Sequence, residues 1–384
     1  MISQKPPSLC AEIQFEVSVM PNQSTRTAIR SSSSLAIFMI TALAGSATAD
    51  VIREDFTVPS APGIDLFVRQ VQEEEVETRR GPVLLLHGAR VGGLASFDVD
   101  VDQLSLAEDL AKAGYTVYIA DLRGYGRSSF PPAMQGHRFA APPAVPTAEA
   151  VEDVKVVLDE IGRRHGSEAI GAMGWATGSH WLAATEATYP GSIDYLVFYN
   201  SVYGGQGEWA LTGSFAVKDE PAIFNYDRFG AYRLSDAASL IGRWTKAEGI
   251  SDAFVDRYVE LAMEGDPAAA ERDPASFRHP SGPIADTLKA VNDAPLYDAG
   301  KIRANVLILR SGEDFWSRPV DVETMVGDLI AADDVAVHEL PGASHYVHLE
   351  PGEGRLSFIK VLIDYLADGT LDEVGRQTPN EVPT

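Results

Sequence analysis

The chain has 384 residues, 45% of them hydrophobic and 22% charged, which fits one large globular domain with an insertion, or two small ones, and excludes a mainly disordered chain. Its formal net charge of −24, from 55 acidic and 31 basic residues, disfavours nucleic acid, anionic lipid or a polyanion as partner; solubility is the plainer reading of that charge. The single cysteine, Cys10, rules out a disulfide scaffold, and the eight histidines show no metal-binding spacing, so neither metal nor cofactor is expected.

The N-terminus reads as an export leader over residues 1–49. Arg26 and Arg30 precede the apolar run Leu35 to Ala44, and Ala47-Thr48-Ala49 places small residues at a cleavage position. The run is shorter than the ~20 residues a membrane span needs. Glu12 and Glu16 suit a signal poorly, which makes Met20 an alternative start; in either case a periplasmic or secreted protein beginning near Asp50 is expected. Strand-like stretches follow at Phe56-Thr57-Val58 and Ile64 to Val71, then a charged turn from Glu73 to Arg80. Val83 to Leu86 is a continuous apolar run, the mark of a strand covered on both faces. Leu104 to Ala113 has helical spacing, Tyr115 to Ala120 is a second buried strand, and Ala148 to His165 is an amphipathic helix. A strand at Ala169 to Trp175, a helix at Thr177 to Tyr189 and a strand at Ile193 to Tyr199 complete the first half.

This alternation predicts an α/β fold with a doubly wound, mostly parallel sheet. The rhythm breaks at Gly204. Residues 204–300 read as an inserted, mainly helical cap rich in aromatics, among them Trp209, Phe215, Phe224, Phe229, Trp244, Phe254 and Tyr258. Such residues most often pack a cap against its sheet, although a lid over the strand ends must also line a cleft with some of them. The rhythm resumes at Val306 to Leu309, with a helix near Pro319 to Ile330, a strand at Val335 to Leu340 and a helix near Gly354 to Leu366. Residues 50–203 and 301–369 are thus expected to form one core, with 370–384 a polar tail.

Five motifs sit where strands end. His87-Gly88 follows the first buried run, and Asp121-Leu122-Arg123-Gly124-Tyr125-Gly126-Arg127-Ser128 follows the second. Gly174-Trp175-Ala176-Thr177-Gly178 has the form of a nucleophile elbow, Gly-x-Nu-x-Gly. Asp314 ends Gly312-Glu313-Asp314, and His345 ends Pro341-Gly342-Ala343-Ser344-His345. In this order the five resemble the α/β-hydrolase superfamily, and specifically its capped, esterase-like serine hydrolases. The resemblance implies a nucleophile at position 176, with His345 as general base and Asp314 as its orienting acid. It further implies oxyanion donors on the backbones of Ala89 and Thr177, with Arg123 a buried brace. Gly88, Arg90, Trp175, His180, Tyr203, Trp209 and Trp316 are the candidates for lining the pocket. His338 and His348 compete with His345, and Glu313 and Asp321 with Asp314, but the family spacing favours His345 and Asp314. Asn200 stands where some relatives carry the acid. His137, His165 and His279 read as surface or supporting residues.

Ala176 is the departure: a methyl group stands where the elbow normally presents a serine hydroxyl. An elbow residue usually has positive φ, which costs about 1–3 kcal/mol for a residue with a Cβ. A lineage that had long lost catalysis would relieve this strain with Gly or Asn. Ala keeps the strain and removes only the oxygen, so the favoured reading is an inactivated Ser→Ala variant, with a natural alanine as the other. The function expected is hydrolysis of a carboxylic ester, or a related acyl bond, in a small and partly aromatic molecule. The alternatives are acyl transfer, a non-catalytic binding protein, and a lyase or cofactor-free oxygenase using His345 and Asp314 alone. Oligomeric state is left open.

Overall fold

The computed structural model describes residues 50–372 except 167, 245–247 and 293–294, so the predicted leader and nearly all of the polar tail lie outside the described residues. Eight strands form the sheet: β1 (Val51–Ala61), β2 (Ile64–Glu73), β3 (Pro82–Leu86), β4 (Thr116–Ala120), β5 (Gly171–Trp175), β6 (Tyr195–Tyr199), β7 (Asn305–Glu313) and β8 (Val335–Ser344). Their spatial order is β1-β2-β4-β3-β5-β6-β7-β8. β2 runs antiparallel to both β1 and β4, and every other pairing is parallel.

The apolar runs are continuous because the sheet is buried on both faces, and residue-by-residue alternation sends each strand into two cores. Leu85, Ile119, Met173, Val197 and Leu307 join one core with Phe358 and Leu362 of the helix Glu353–Leu366. Leu84, Tyr118, Ala172, Leu196 and Val306 join the other, beneath the helices Thr147–His165 and Thr177–Thr188. The first predicted helix is shorter than expected, Leu106–Lys112, because Ser105 caps it by accepting the Glu108 N–H.

Residues 204–300 add no strand to the large sheet among the described residues. Their longer helices are Ala237–Trp244, Asp252–Glu264 and Gly282–Asn292. The segment also holds two short antiparallel pairs that sequence periodicity did not reveal: Ala216–Val217 with Glu220–Phe224, and Tyr232–Asp236 with Ser276–Pro280. Each strand of the second pair has only five residues, and only Tyr232–Asp236 alternates in burial, too short a run to stand out beside the helices.

β7 and β8 are each longer than their apolar runs. Their pairing continues past the sheet through a register shift after Ser311, which sets Glu313 opposite Ser344. Asp314 and His345 are therefore the next residue on each of two paired strands.

Candidate active site

The elbow begins with sterics. β5 passes directly into the helix Thr177–Thr188 through Ala176, whose φ of 53° and ψ of −113° lie in a region L-residues rarely adopt. The flanking glycines permit this turn. A Cβ on Gly174 would meet Ser179 N at 2.2 Å, and one on Gly178 would meet Leu86 O at 2.3 Å. No side chain fits at either position without separating helix from sheet. Ala176 is fixed from below by its own N–H, which donates to Tyr199 O at 2.8 Å. Thr177 is the first residue of the helix, where a backbone N–H has no intrahelical acceptor.

His345 Nδ1 lies 2.6 Å from Asp314 Oδ1. Asp314 also accepts from Trp316 N (3.1 Å), from Ser317 N (2.7 Å) and from the Ser317 hydroxyl. Burial alone would push the Asp314 carboxyl up, but the charge and hydrogen bond of His345 and the hydrogen bonds of Ser317 outweigh it and hold the group below its ordinary value. The His345 carbonyl accepts from Trp175 Nε1 (3.2 Å), Tyr199 OH (3.2 Å) and Asn200 Nδ2 (3.4 Å). Asn200, also at positive φ, ties this turn to β7 by accepting the Ser311 N–H at 2.7 Å. Of the rivals, His348 is buried between Tyr199 OH and Ser96 O, and Asp321 pairs with Arg318.

The loop after β4 is built as a brace. Asp121 accepts from Gly93 N at 2.6 Å and Arg127 N at 2.8 Å, which anchors the segment after His87-Gly88. Arg123 forms a two-pronged pair with Asp153. His87 donates from Nδ1 to Gly88 O and accepts the Leu122 N–H at Nε2, so it supports the loop from beneath.

Above Ala176 lies a cavity of about 250 Å³. It gathers Ala176, Thr177, Ala89 and His345 with Gly88, Arg90, Trp175 and Trp316, as the motifs suggested. It also holds residues that sequence reading missed: Val91, Leu211, Phe215, Arg233, Arg243, Phe315 and Tyr346. Phe315 and Tyr346 adjoin predicted site residues in sequence and could have been found that way. The cap residues gave no such signal.

Three pocket candidates are corrected. His180 is buried, and its Nε2 meets the Val202 carbonyl, away from the cavity; burial lowers its pKa despite that hydrogen bond. His180 lies four residues beyond Ala176, a spacing that would share one helix face, but Ala176 is not in helical conformation and the two do not share a face. Tyr203 is held beneath the helix Pro319–Asp328, with its N–H on Asp321 and its hydroxyl on Asp328. Trp209 packs edge-on behind Trp316 and donates to its carbonyl at 2.9 Å, so it backs the wall without forming it. Among the cap aromatics, Phe215 reaches the cavity, whereas Trp244, Phe254 and Tyr258 pack in the core.

Among the described residues no three His, Cys, Asp or Glu side chains are grouped to hold a metal ion, and no helix is long and apolar enough to cross a membrane.

No curated protein matches the sequence. Solved structures share the fold. The thioesterase domain of the curacin biosynthetic pathway has 17% identity and a TM-score of 0.54, covering 82% of this chain and 99% of that one. The meta-cleavage product hydrolase of Pseudomonas fluorescens, a serine-to-alanine mutant complexed with acetates, has 14% identity and a TM-score of 0.54, covering 82% and 98%. A serine hydrolase of a Cycloclasticus that degrades polyaromatic hydrocarbons has 15% identity and a TM-score of 0.53, covering 84% and 100%. Residues 77–352, well over half the chain, match the family Hydrolase_4, serine aminopeptidase S33. With its eight-stranded sheet and elbow turn, the chain belongs to that family and is an α/β-hydrolase of the serine hydrolase type.

Proposed function

We propose that this protein is built to hydrolyse a carboxylic ester, or a related acyl bond, of a small and partly aromatic molecule, and that Ala176 leaves it without its nucleophile. One observation carries the reading. The His345–Asp314 pair, at 2.6 Å, opens into the same cavity as an elbow residue still held at a φ of 53°. A pocket kept for binding alone needs neither feature.

With a hydroxyl at position 176, His345 Nε2 would take its proton as the oxygen bonds to the acyl carbon. The oxyanion would face the N–H groups of Thr177 and Ala89 at a helix N-terminus. His345 would then return the proton to the departing alcohol; in the second half it would take a proton from water as that water attacks the acyl carbon, and return it to the departing serine oxygen. Asp314, kept ionised, would fix the imidazole tautomer and balance its charge. Trp175, Phe315 and Trp316 supply an aromatic wall beside His345, with ring centroids 5.0, 4.6 and 6.5 Å from it, which suits an aromatic substrate.

The test is kinetic. The chain with Ala176 should cleave 4-nitrophenyl acetate at no more than a trace rate. Ala176→Ser should raise kcat by about 10⁴-fold or more, and His345→Ala in that background should remove the gain. An Ala176→Ser protein that folds and binds aryl esters yet cleaves none would favour a non-catalytic binding protein.

A further inference from the structure

The chain is strongly acidic, yet its buried arginines divide into two groups. Arg123, Arg310, Arg318 and Arg355 are buried and each holds a carboxylate: Asp153, Glu339, Asp321 and Asp109. Arg233 is equally buried, at 8% exposure, and among the described residues forms no ion pair. It lines the cavity above Ala176 together with Arg90 and Arg243. Arg90 and Arg243 are half-buried, and among the described residues neither has a carboxylate within ion-pair distance.

The hydrogen bonds that these three make are all to neutral groups. Arg233 Nη2 donates to Ala89 O (3.0 Å) and Pro280 O (3.3 Å), while its Nε is buried without a partner. Arg90 donates to the Ser235 and Ser239 hydroxyls at 3.0 and 2.8 Å. Arg243 reaches Tyr258 OH at 3.4 Å, and its buried Nε is likewise unpartnered. Two of the guanidiniums lie over cavity aromatics, Arg233 on Phe215 at 5.4 Å and Arg243 on Tyr346 at 5.0 Å, which orients them without cancelling their charge. Burial, and then the Arg243 charge, pushes Arg90 down to about 10; burial, with Arg90 adding to it, pushes Arg233 down to about 10. Both remain cations at neutral pH, in mutual repulsion.

Charges withdrawn from water without a counter-ion cost several kcal/mol, and a fold retains them only where something answers them. For the other buried arginines an Asp or Glu does. In the cavity the missing partner must be a ligand. We propose that the substrate bears a carboxylate, and that Arg90, Arg233 and Arg243 form its docking site beside the elbow. The site takes an acidic ester, either the half-ester of a dicarboxylic acid or an ester whose alcohol part carries the acid. A guanidinium cluster pairs with a planar carboxylate through two parallel N–H···O bonds. Arg233 also grips the Ala89 carbonyl, so an anion on this cluster sits one residue from the oxyanion loop. The substrate class rests on the hydrolase reading above, but the anion site can be tested without turnover.

Calorimetric titration of the chain with Ala176 compares two matched pairs: monophenyl glutarate with phenyl pentanoate, and 4-acetoxybenzoate with 4-methylphenyl acetate. At least one acid should bind tenfold or more tighter than its neutral partner, and the pair that shows this tells which side of the ester carries the charge. The preference should shrink with added sodium chloride. Arg90→Gln and Arg243→Gln should each reduce it about tenfold or more, as expected for losing one charge-assisted contact. Equal binding within both pairs would overturn the proposal, as would a preference unchanged in both variants. The measurement on the unsubstituted chain decides even if a variant fails to fold. If Ala176→Ser cleaves neutral esters while the acids bind no better, the carboxylate site falls and the hydrolase stands. If the acids bind preferentially and Ala176→Ser cleaves nothing, the site stands and the hydrolase falls.

Discussion

Ala176→Gly isolates the strain at the elbow. Replacing a buried alanine by glycine normally destabilises a protein twice: about 0.8 kcal/mol for the lost methyl and about 0.5–1 kcal/mol for the added freedom of the unfolded chain. Ala183, fully buried within the helix that follows the elbow, should show this full loss, about 1.3–1.8 kcal/mol. Ala176 is nearly as buried, at 5% exposure, so the same two terms apply. At a φ of 53° and ψ of −113°, however, the alanine holds about 1–3 kcal/mol of conformational strain that glycine releases. The net change at 176 should therefore fall between a loss of about 0.8 and a gain of about 1.7 kcal/mol. The expected difference between the two variants is the strain itself. Urea denaturation midpoints, converted with a shared m value, measure it. Equal losses at 176 and 183 would mean that the elbow is unstrained, and would remove the argument that the turn is still shaped to present a nucleophile.

Other expectations follow from pairings already described. Asp153→Asn should cost up to about 3–5 kcal/mol in denaturation free energy, because it leaves the buried Arg123 with only the partly exposed Glu149, 3.6 Å away, as counter-charge; the double change Asp153→Leu with Arg123→Met should cost clearly less. In the Ala176→Ser background, Asp314→Asn should lower kcat by about 10⁴-fold in steady-state assays through loss of the imidazole tautomer. The same carboxyl links stability to pH. Its pKa is held below the ordinary 3.8, so its contribution is present above that value and fades as pH falls through the lower folded-state value. Denaturation curves between pH 2.5 and 6, at spacings of about half a pH unit, should therefore fall less steeply on the acid side for Asp314→Asn than for the parent chain.

The chemistry at the strand ends was legible because each motif depends on its immediate neighbours. Gly174 is required by a contact within its own β–turn–helix unit and Gly178 by the neighbouring strand end at Leu86, yet both fall in one short run of sequence that displays them. Asp314 and His345 are distant in sequence, but each closes an apolar strand run, and parallel pairing of β7 with β8 then sets them side by side. The errors came where position was inferred without backbone geometry. His180 was assigned by helical spacing counted from a residue outside the helix. Tyr203 and Trp209 stood as pocket candidates on sequence alone, yet their polar atoms pair with Asp328 and with the Trp316 carbonyl behind the cavity wall. Arg233 and Arg243 were invisible because a lone arginine in a cap has no pattern, and what sets them apart is a partner that is missing, which only three dimensions reveal.

The net charge of −24 invites a further error of scale. Summed surface charge acts on a ligand approaching through solvent, and salt screens it beyond ~8–10 Å. Within a buried cavity the nearest groups dominate, and there three guanidiniums outweigh Asp314, which His345 already occupies. An acidic surface and a cationic pocket are thus compatible, and together they make a distinction. A small acid carrying one or two charges meets modest repulsion outside and strong attraction within, whereas a long polyanion would hold most of its charge against the acidic exterior. Added salt should accordingly act in opposite directions on the two steps, weakening the docked carboxylate's equilibrium binding while easing its approach. Stopped-flow association and dissociation rates for the preferred acid would separate them: a dissociation rate that rises with salt beside an association rate that does not fall. A falling association rate would mean that the cluster's field reaches beyond the cavity mouth.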